Sequence, residues 1–376
     1  MDDSKLVIRV FNEERDQEMV TKLERKCKIG SKGISMFTNM MGDPLCRIRF
    51  YPVRVMLVAE LLNNGELVGM VGGCIKIVGT GSKGRHVKLG CILGLRVSPK
   101  HRRMGIGLKL VQCVEEWMVS NGASYTFLAS EEKNLASANL FTLKCGYATF
   151  ASLVIFVHPV CLPAKEPSCR VEVEKLPLDQ AISSYKKHLG GGDLYPADFE
   201  AILKEKSSIG TFKAYNVDTG IQSSWISFSM WSTCGTYKLD VQRSPTSKFL
   251  HATLNHARNK IFPCLNPKMQ PCDSLEKPFG FLFLYGLHGE GERVGELMQS
   301  IWIFASGVAE TVKDCKAIIT ELGFSDPLRE HVPKVSSVSC IEDLWYLKKV
   351  IGPIDDEDDL TVMRPVGSVF VDPRDF

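Results

Sequence analysis

An apolar segment that passes through a basic, glycine-containing loop into an amphipathic segment is the feature that most constrains the fold. Val87–Val97 is predicted to form a strand, and Gly107–Val119 is predicted to form a helix. Gly105 lies in the loop between them, where the absence of Cβ lets an anion approach the backbone N–H groups. The start of the helix adds its unsatisfied amides and the positive end of its dipole. With Arg102 and Arg103 beside the loop, this unit predicts a binding site for a pyrophosphate.

The spacing of the glycines excludes two common phosphate-binding motifs. The loop lacks the Gly-x-x-x-x-Gly-Lys-Ser/Thr pattern of nucleoside triphosphate sites. The run Gly105-Ile-Gly107-Leu-Lys-Leu110 also lacks the third glycine of the dinucleotide fingerprint. The alternative interpretation is a tight glycine turn in an unrelated α/β protein. The segments that flank the loop have to distinguish this turn from a pyrophosphate site.

The remaining pattern, Arg102-x-x-Gly105-x-Gly107, resembles the acetyl-CoA-binding signature of the GNAT superfamily of N-acetyltransferases. A second segment, Asn134–Tyr147, is similar to the helix Asn-x-x-Ala-x-x-Leu-Tyr-x-Lys-x-Gly-Phe of that superfamily. From residue 7 to 158 the hydrophobic periodicities predict the order β-α-β-β-β-α-β-α-β. Within it, apolar segments on either side of Asn63–Glu66 predict a hairpin. The resemblance implies an α/β (α+β, mixed-sheet) architecture with the acyl-CoA N-acyltransferase fold.

The resemblance also implies acetyl-CoA as cosubstrate and no metal ion. In this superfamily two parallel strands splay apart, and the pantetheine lies between them against the backbone of the first strand. The expected cofactor-binding residues are Leu95, Arg96, Val97, Arg102, Arg103, Met104, Gly105, Ile106, Gly107 and Leu108, with Asn134 and Ser137 from the later helix. The backbone amides of Leu95–Val97 are expected to polarise the thioester carbonyl. For Asn134 and Ser137, helix capping and surface packing are equal alternatives.

The groups that would move protons are less well determined. The superfamily often places a tyrosine on the later helix to protonate the coenzyme A thiolate, but this chain has Phe141 or Thr142 there, depending on where a one-residue gap is placed. The signature strand carries no carboxylate. The catalytic candidates are Glu131, Glu132 and Cys91. The competing interpretation is that the two glutamates are solvated surface charges and that the cysteine is a buried structural thiol. Direct attack in a ternary complex gains mainly from orientation and carbonyl polarisation, so no dedicated acid is required.

The second half of the chain repeats the order of predicted elements, which indicates two tandem lobes with a degenerate second copy. A proline-rich segment predicts a linker at 161–168, between an acetyl-CoA-binding domain at 1–160 and a second lobe at 169–376. The corresponding glycine-rich loop, 286–295, carries glutamates where the first lobe carries arginines. Because negative charge at a helix start repels a pyrophosphate, the second lobe is expected to brace the first or to shape the substrate groove.

Three further segments carry local predictions. Residues 29–52 are expected to form a loop and a short helix. The acidic run at 355–359 predicts a solvated loop, with the capture of a basic peptide as the alternative. Residues 366–371 are expected to pair with the edge of a sheet.

Composition excludes several classes of protein. The formal net charge of +3 disfavours strong nonspecific binding to nucleic acid. The 13 cysteines are scattered without a Cys-x-x-Cys or Cys/His cluster, so no zinc site is expected and the thiols are expected to be reduced. No apolar stretch approaches the roughly 20 residues of a membrane-spanning helix, and the N-terminus has no signal-peptide pattern. We therefore expect an intracellular protein without a membrane partner; a homo-oligomer stays open.

A narrower resemblance covers nearly the whole chain. Its layout, including Asn134–Tyr147 and Asp343–Lys348, resembles the plant hookless-type N-acetyltransferases. This implies a nuclear regulator of plant growth, with the cytoplasm as the alternative location. We predict an acetyl-CoA-dependent N-acetyltransferase whose acceptor is an amine of a protein or peptide, such as a lysine, including those of histones. The alternatives are a non-catalytic acetyl-CoA-binding or scaffold regulator and a small-molecule amine acetyltransferase; the second lobe argues against a small acceptor.

Overall fold

The computed structural model describes residues 6–27, 34–80, 86–160, 171–189, 194–217, 224–243, 277–333, 339–351, 359–361 and 369–376. The predicted linker at 161–168 lies outside these ranges, and so does the acidic run at 355–359 except for Asp359.

The elements of the first half follow the predicted order with one additional strand. They are β1 Leu6–Val10, α1 Glu13–Lys26, β2 Ile34–Asn39, β3 Val53–Leu61, β4 Leu67–Gly79, β5 His86–Val97, α2 Ile106–Ser120, β6 Tyr125–Glu131, α3 Leu135–Asn139 and β7 Ala148–Pro159. Asn12 begins α1 by accepting a hydrogen bond from the Arg15 amide at 2.9 Å. The predicted hairpin is the antiparallel pair β3–β4.

The second half repeats this order with short insertions. Its elements are β8 Val171–Lys175, α4 Leu178–Leu189, β9 Tyr195–Pro196, α5 Phe199–Lys204, β10 Ser208–Asn216, β11 Trp225–Ser232, β12 Lys238–Arg243, β13 Gly280–Glu290, α6 Val294–Thr311, β14 Cys315–Gly323 and β15 Ser339–Lys349.

The final strands of the two halves are exchanged within one continuous sheet. The strand order is β1-β3-β4-β5-β6-β15-β7-β14-β13-β11-β10-β8. Thus β15 pairs with β6 of the first half, β7 pairs with β14 of the second half, and β15 and β7 pair with each other. Each half completes the sheet of the other. One sheet therefore contains strands from both sides of the 161–168 segment. The division of the chain into two domains at this segment stays a prediction from the sequence.

Both halves share an unusual backbone feature, which supports their origin by duplication. In β5, Gly94 and Leu95 form a bulge opposite one residue of β4. In β13, Gly286 and Leu287 form the corresponding bulge opposite one residue of β11. The φ angles of Gly94 and Gly286 are 62° and 61°, in the left-handed region that glycine adopts without strain.

The helices α2 and α6 pack on the same face of the sheet. Leu110 and Val114 of α2 belong to one buried cluster, and Leu297 and Ile301 of α6 belong to another. The opposite face carries a larger cluster that spans both halves and includes residues of α4, of α5 and of 369–376. No described helix is both long and apolar enough to cross a membrane.

Several local predictions are wrong, and each fails for a reason of tertiary context. Residues 29–52 include β2, whose partner β12 lies far away in sequence. The segment 286–295 is not one loop: β13 continues to Glu290 because β11 pairs with it that far. Of 366–371, residues 366–368 lie outside the described residues, so the prediction is wrong only for residues 369–371, which form no strand; Phe370 and Val371 are buried in the central core instead.

Candidate active site

A gap between two parallel strands lies at the centre of the first half. Strands β5 and β6 pair only over residues 89–91 and 125–127. Beyond that point both strands continue, but the described residues of β5 and β6 make no further ladder with each other, and β6 pairs with β15 on its other side. The expected splay is present, and it opens one side of the backbone at Leu95–Val97.

The side chain of Arg96 points away from this gap, so only its backbone is placed for the predicted role. Its Nε donates to Glu24 Oε2 at 2.8 Å, and its Nη2 donates to Glu24 Oε1 at 3.1 Å. Glu24 is buried in α1, and its side chain is 3 % exposed. The pair joins α1 to the end of β5, directly behind the bulge.

Replacing Arg96 with methionine is expected to destabilise the fold by about 3 kcal/mol, because it leaves the buried Glu24 carboxylate without its partner. The double variant Arg96→Met with Glu24→Leu removes both charges and is expected to recover most of that loss. Chemical denaturation of the three proteins measures the difference. If Arg96→Met alone were as stable as the parent, the ion pair would not matter to the fold.

The loop between β5 and α2 has the geometry of an anion-binding turn. It contains a 3₁₀ turn over Pro99–His101, and it reaches α2 through Arg103 and Gly105, with φ angles of 65° and 81°. Arg102 and Arg103 are exposed, and Arg102 Nε donates to the Val97 carbonyl at 3.3 Å. The first turn of α2 has no acidic residue and no side-chain cap. These are the features that suit a helix start to a phosphate group.

The two signature glycines have different local roles. A Cβ on Gly105 would meet nothing within 4 Å, so it is the positive φ that favours glycine there. A Cβ on Gly107 would lie 3.6 Å from Leu140 and 3.7 Å from Val97, which is ordinary packing distance. The conformation of the loop therefore depends on Gly105.

The later motif forms a short helix with an additional turn. Asn134 caps α3, since its side chain accepts a hydrogen bond from the Ser137 amide at 3.2 Å. Capping is thus observed for Asn134, and cofactor contact stays a prediction for both residues. After α3, Leu140–Lys144 forms a π-helical turn. A π turn accommodates one extra residue, which is the one by which this segment exceeds the superfamily pattern.

Neither residue at the expected position of the acid is placed to act as one. Phe141 is buried against Tyr147, with their ring centroids 5.3 Å apart. The Thr142 hydroxyl donates to the Ala138 carbonyl at 2.7 Å. Tyr147 is also engaged: its hydroxyl donates to Glu115 at 2.7 Å, and burial raises its pKa far above the usual value.

The three predicted catalytic candidates do not come together. Cys91 is fully buried in the paired part of β5, opposite Cys74, before the gap opens. Glu131 and Glu132 are exposed at the end of β6. The nearby Glu342 carboxyl raises the pKa of Glu132 by hydrogen bonding and charge. For Cys91, the structural interpretation fits the fold better than the catalytic one.

Two buried carboxyl groups beside this site were missed by the sequence analysis. Asp343 of β15 lies opposite Glu131 in register, and Glu321 of β14 is close enough to Asp343 for each to shift the pKa of the other. Burial and the charge of Glu131 raise the pKa of Asp343 to about 7. The sequence did contain one signal for Asp343. Of the three inward-facing positions 341, 343 and 345 of β15, Ile341 and Trp345 are apolar and only Asp343 is a carboxylate.

A pocket lies beside β5 on the face of the sheet opposite to α2. It contains about 430 Å³ of free space, part of it open to solvent, beside the bulge of β5 at Leu93 and Gly94. Met40, Met56 and Met70 contribute an adaptable apolar lining. At the end of β5, one face of the sheet therefore carries the anion-binding loop and α2, and the other face carries a pocket.

The corresponding region of the second half is more closed. Strand pairing between β13 and β14 extends to Leu284 and Thr320, and the Thr320 hydroxyl donates to the Leu284 carbonyl at 2.8 Å. The connection from β13 to α6 is residues 291–293 only. Arg293 is paired with Glu296 in the first turn of α6 at 2.7 Å. That the second half binds no acetyl-CoA stays a prediction, consistent with this short loop.

Comparison with known proteins gives the family. Residues 18–147 match the acetyltransferase (GNAT) family. The chain is 37% identical over 404 residues to "Probable N-acetyltransferase HLS1" of Arabidopsis thaliana, covering 98% of this chain and 100% of that protein. The chain belongs to the GNAT family of N-acetyltransferases. It is also 32% identical to "Acetyl transferase GW6a" of Oryza sativa subsp. japonica, covering 98% of this chain and 97% of that protein.

Solved structures show the same fold at low identity. N-myristoyltransferase of Saccharomyces cerevisiae with bound myristoyl-CoA matches with a TM-score of 0.56 at 11% identity, over 99% of this chain and 82% of that one. A GCN5-related N-acetyltransferase of Sphaerobacter thermophilus matches with a TM-score of 0.55 at 12% identity, over 93% and 97%. The predicted acyl-CoA N-acyltransferase fold is confirmed.

Family membership implies acetyl-CoA as cosubstrate, and the residues present fit it. The strand gap, the left-handed Gly105 and an uncapped helix start free of carboxylates are suited to a pantetheine and a pyrophosphate. Within the described part of the chain, no group of three or more His, Cys, Asp and Glu side chains is placed to hold a metal ion.

Proposed function

We propose that this GNAT protein transfers the acetyl group of acetyl-CoA to an amine of a protein, such as a lysine side chain, including those of histones. One observation carries the proposal: the end of β5, where β5 and β6 separate, has the anion-binding loop and α2 on one face of the sheet and a pocket on the other. The anion-binding loop and α2 serve the cosubstrate on one face, and the pocket beside Gly94 serves the acceptor on the other. Two reactants can then meet in one ternary complex.

In this mechanism the backbone does most of the positioning. The loop around Gly105 and the start of α2 would hold the pyrophosphate, and Arg102 and Arg103 would add charge. The amides of Leu95–Val97 would hold the pantetheine and polarise the carbonyl that the amine attacks. When bound, acetyl-CoA supplies the activated thioester.

A large acceptor is supported by the way in which the second half is built into the site. Strand β15 comes from the second half, yet it lies next to β6 and contributes to the sheet face that the acceptor would approach. A nuclear location and a role in plant growth are extended to this chain as proposals from its resemblance to the hookless-type proteins.

A non-catalytic acetyl-CoA-binding regulator is the second candidate. The observation in its favour is Phe141, which is buried and has no proton to give at the place where the superfamily often carries a tyrosine. In that case the strand gap would bind acetyl-CoA without turnover.

Acetyl-CoA is expected to raise the melting temperature of the purified protein, and a panel of histone peptides and small amines is expected to yield an acetylated peptide by mass spectrometry. No thermal shift would contradict the cofactor assignment. A thermal shift without any acetylated product would favour the regulator, and acetylation of small amines alone would contradict a protein acceptor.

A further inference from the structure

Two buried carboxyl groups, Asp343 of β15 and Glu321 of β14, lie on the face of the sheet opposite to α2, and β15 is the strand next to β6. The Phe127 and Trp345 rings pack on this face, with centroids 5.0 Å apart. Because side chains alternate along a strand, Glu131 and Asp343 lie on the same face, farther toward the open ends of β6 and β15. Asp343 is 6 % exposed, so it is the inner member of this pair.

Glu321 approaches Asp343 from the other half of the sheet. It lies on β14, separated from β15 by β7, and it is also 6 % exposed. The two carboxyl groups are close enough for each to shift the pKa of the other, and Trp345 favours the ionised form of Glu321. The other oxygen of Glu321, Oε1, is buried and has no partner among the described residues. A buried acceptor atom of this kind is normally satisfied, so Oε1 is available to a donor beyond the described residues.

The pKa values of both carboxyl groups are raised by burial and by neighbouring acids. Burial and the nearby Asp343 and Asp375 raise the pKa of Glu321 well above its usual range, which favours its protonated form as a donor to Asp343. Burial and the charge of Glu131 raise the pKa of Asp343, while the hydrogen bond from Glu321 lowers it. Lys76 is a basic group on this face: its ammonium lies 5.7 Å from the Phe127 ring centroid and is paired with Asp375. Asp343 is therefore able to change its charge near neutral pH.

We propose that Asp343 accepts the proton of the attacking ammonium group and that Glu321 is the residue that positions it. This inference rests on the proposed function. The acceptor enters as an ammonium and gives one proton to the Asp343 carboxylate. The free amine then attacks, so that an N–C bond forms and the thioester C–S bond breaks. The second proton of the nitrogen goes to the coenzyme A thiolate, and Asp343 returns its proton to solvent.

The first test compares Asp343→Asn with the parent protein, using the acetylated peptide found in the panel as acceptor. The parent is expected to lose kcat/KM as the pH falls through about 7, because the base must be ionised. In Asp343→Asn, kcat/KM at pH 8 is expected to fall about 100-fold. The decline of kcat/KM below about pH 7, which is the acidic limb of the pH profile, is expected to disappear in this variant. Glu342→Gln is the matched control, because Glu342 is the exposed neighbour on the other face of β15.

The second test asks whether Glu321 positions Asp343 or only fills space in the fold. Glu321→Gln keeps a donor for Asp343, so the acidic limb is expected to stay near its position in the parent. Glu321→Leu removes the donor, and the limb is expected to move to higher pH. A merely structural role for Glu321 would change stability but leave the position of this limb unchanged.

The outcomes distinguish this inference from the proposed function. Suppose that acetyl-CoA shifts the melting temperature of Asp343→Asn as it does that of the parent, and that the variant keeps both the kcat/KM and the acidic limb of the pH profile. Asp343 is then not the base, although the assignment of the protein as an enzyme stands. If Asp343→Asn does not fold, the pH profile of the parent still decides, since a profile without a limb near 7 overturns the inference.

Discussion

Gly105→Glu is expected to weaken acetyl-CoA binding at least about 100-fold, and acetyl-CoA should no longer raise its melting temperature. Two effects add at this position. The new side chain must adopt a φ of 81°, which favours glycine, so the loop is expected to rearrange. The carboxylate also brings negative charge to an uncapped helix start where a pyrophosphate would bind, and repulsion between like charges costs several kcal/mol. About 3 kcal/mol corresponds to a 100-fold change in affinity.

Gly122→Glu is the matched control for this variant. Gly122 follows the other end of α2, about 22 Å away along a helix of 15 residues. Its φ of 82° is nearly that of Gly105, so the backbone strain is comparable. A Cβ there would meet Lys88 Nζ at 3.3 Å, the flexible end of a side chain that also balances the new charge. Both variants should lose similar thermal stability, but Gly122→Glu should keep the shift by acetyl-CoA. Equal shifts in both proteins would refute the assignment of the loop.

Local sequence patterns were sufficient for most of the first half. Alternation and turn residues predicted the β3–β4 hairpin, and glycine spacing with helical periodicity predicted the transition from β5 to α2. These features depend on residues close in sequence. The cofactor side of the site follows from the same stretch, because backbone conformation at Gly105 and the charge of the loop are local properties.

The acceptor side could not be predicted in this way, because it is assembled from distant parts of the chain. Asp343 faces the same core as Phe127 only because β15 is inserted between β6 and β7. No local pattern reports which strand becomes the neighbour of β6. The strand β2 was missed for the same reason, since its partner is β12. In both cases hydrogen bonding across long sequence separations decided the structure.

Separating the two halves is expected to abolish the native fold of the first. A fragment of residues 1–160 lacks β15, so the edge of β6 has no partner, and β7 loses both of its neighbours. β7 could fold back onto β6, but by the pseudo-symmetry of the sheet it would place Ile155 where Trp345 packs against Phe127. Removing most of a buried tryptophan side chain costs about 3–5 kcal/mol, which is a large part of the roughly 5–15 kcal/mol stability of a typical domain.

The experiment compares three states of the same chain. A protease site inserted at 161–168 gives a nicked protein whose halves stay together, and this form is expected to unfold cooperatively and to keep its thermal shift with acetyl-CoA. The separately expressed fragment 1–160 is expected to show neither property, and mixing it with the 169–376 fragment under refolding conditions is expected to restore both. A fragment 1–160 that unfolds cooperatively and responds to acetyl-CoA by itself would mean that β7 can replace β15. The exchange of strands would then be dispensable for cofactor binding and would matter only on the acceptor side. There β7 cannot supply a carboxylate in place of Asp343, because the residue of β7 that is equivalent to Asp343 by the pseudo-symmetry is Leu153.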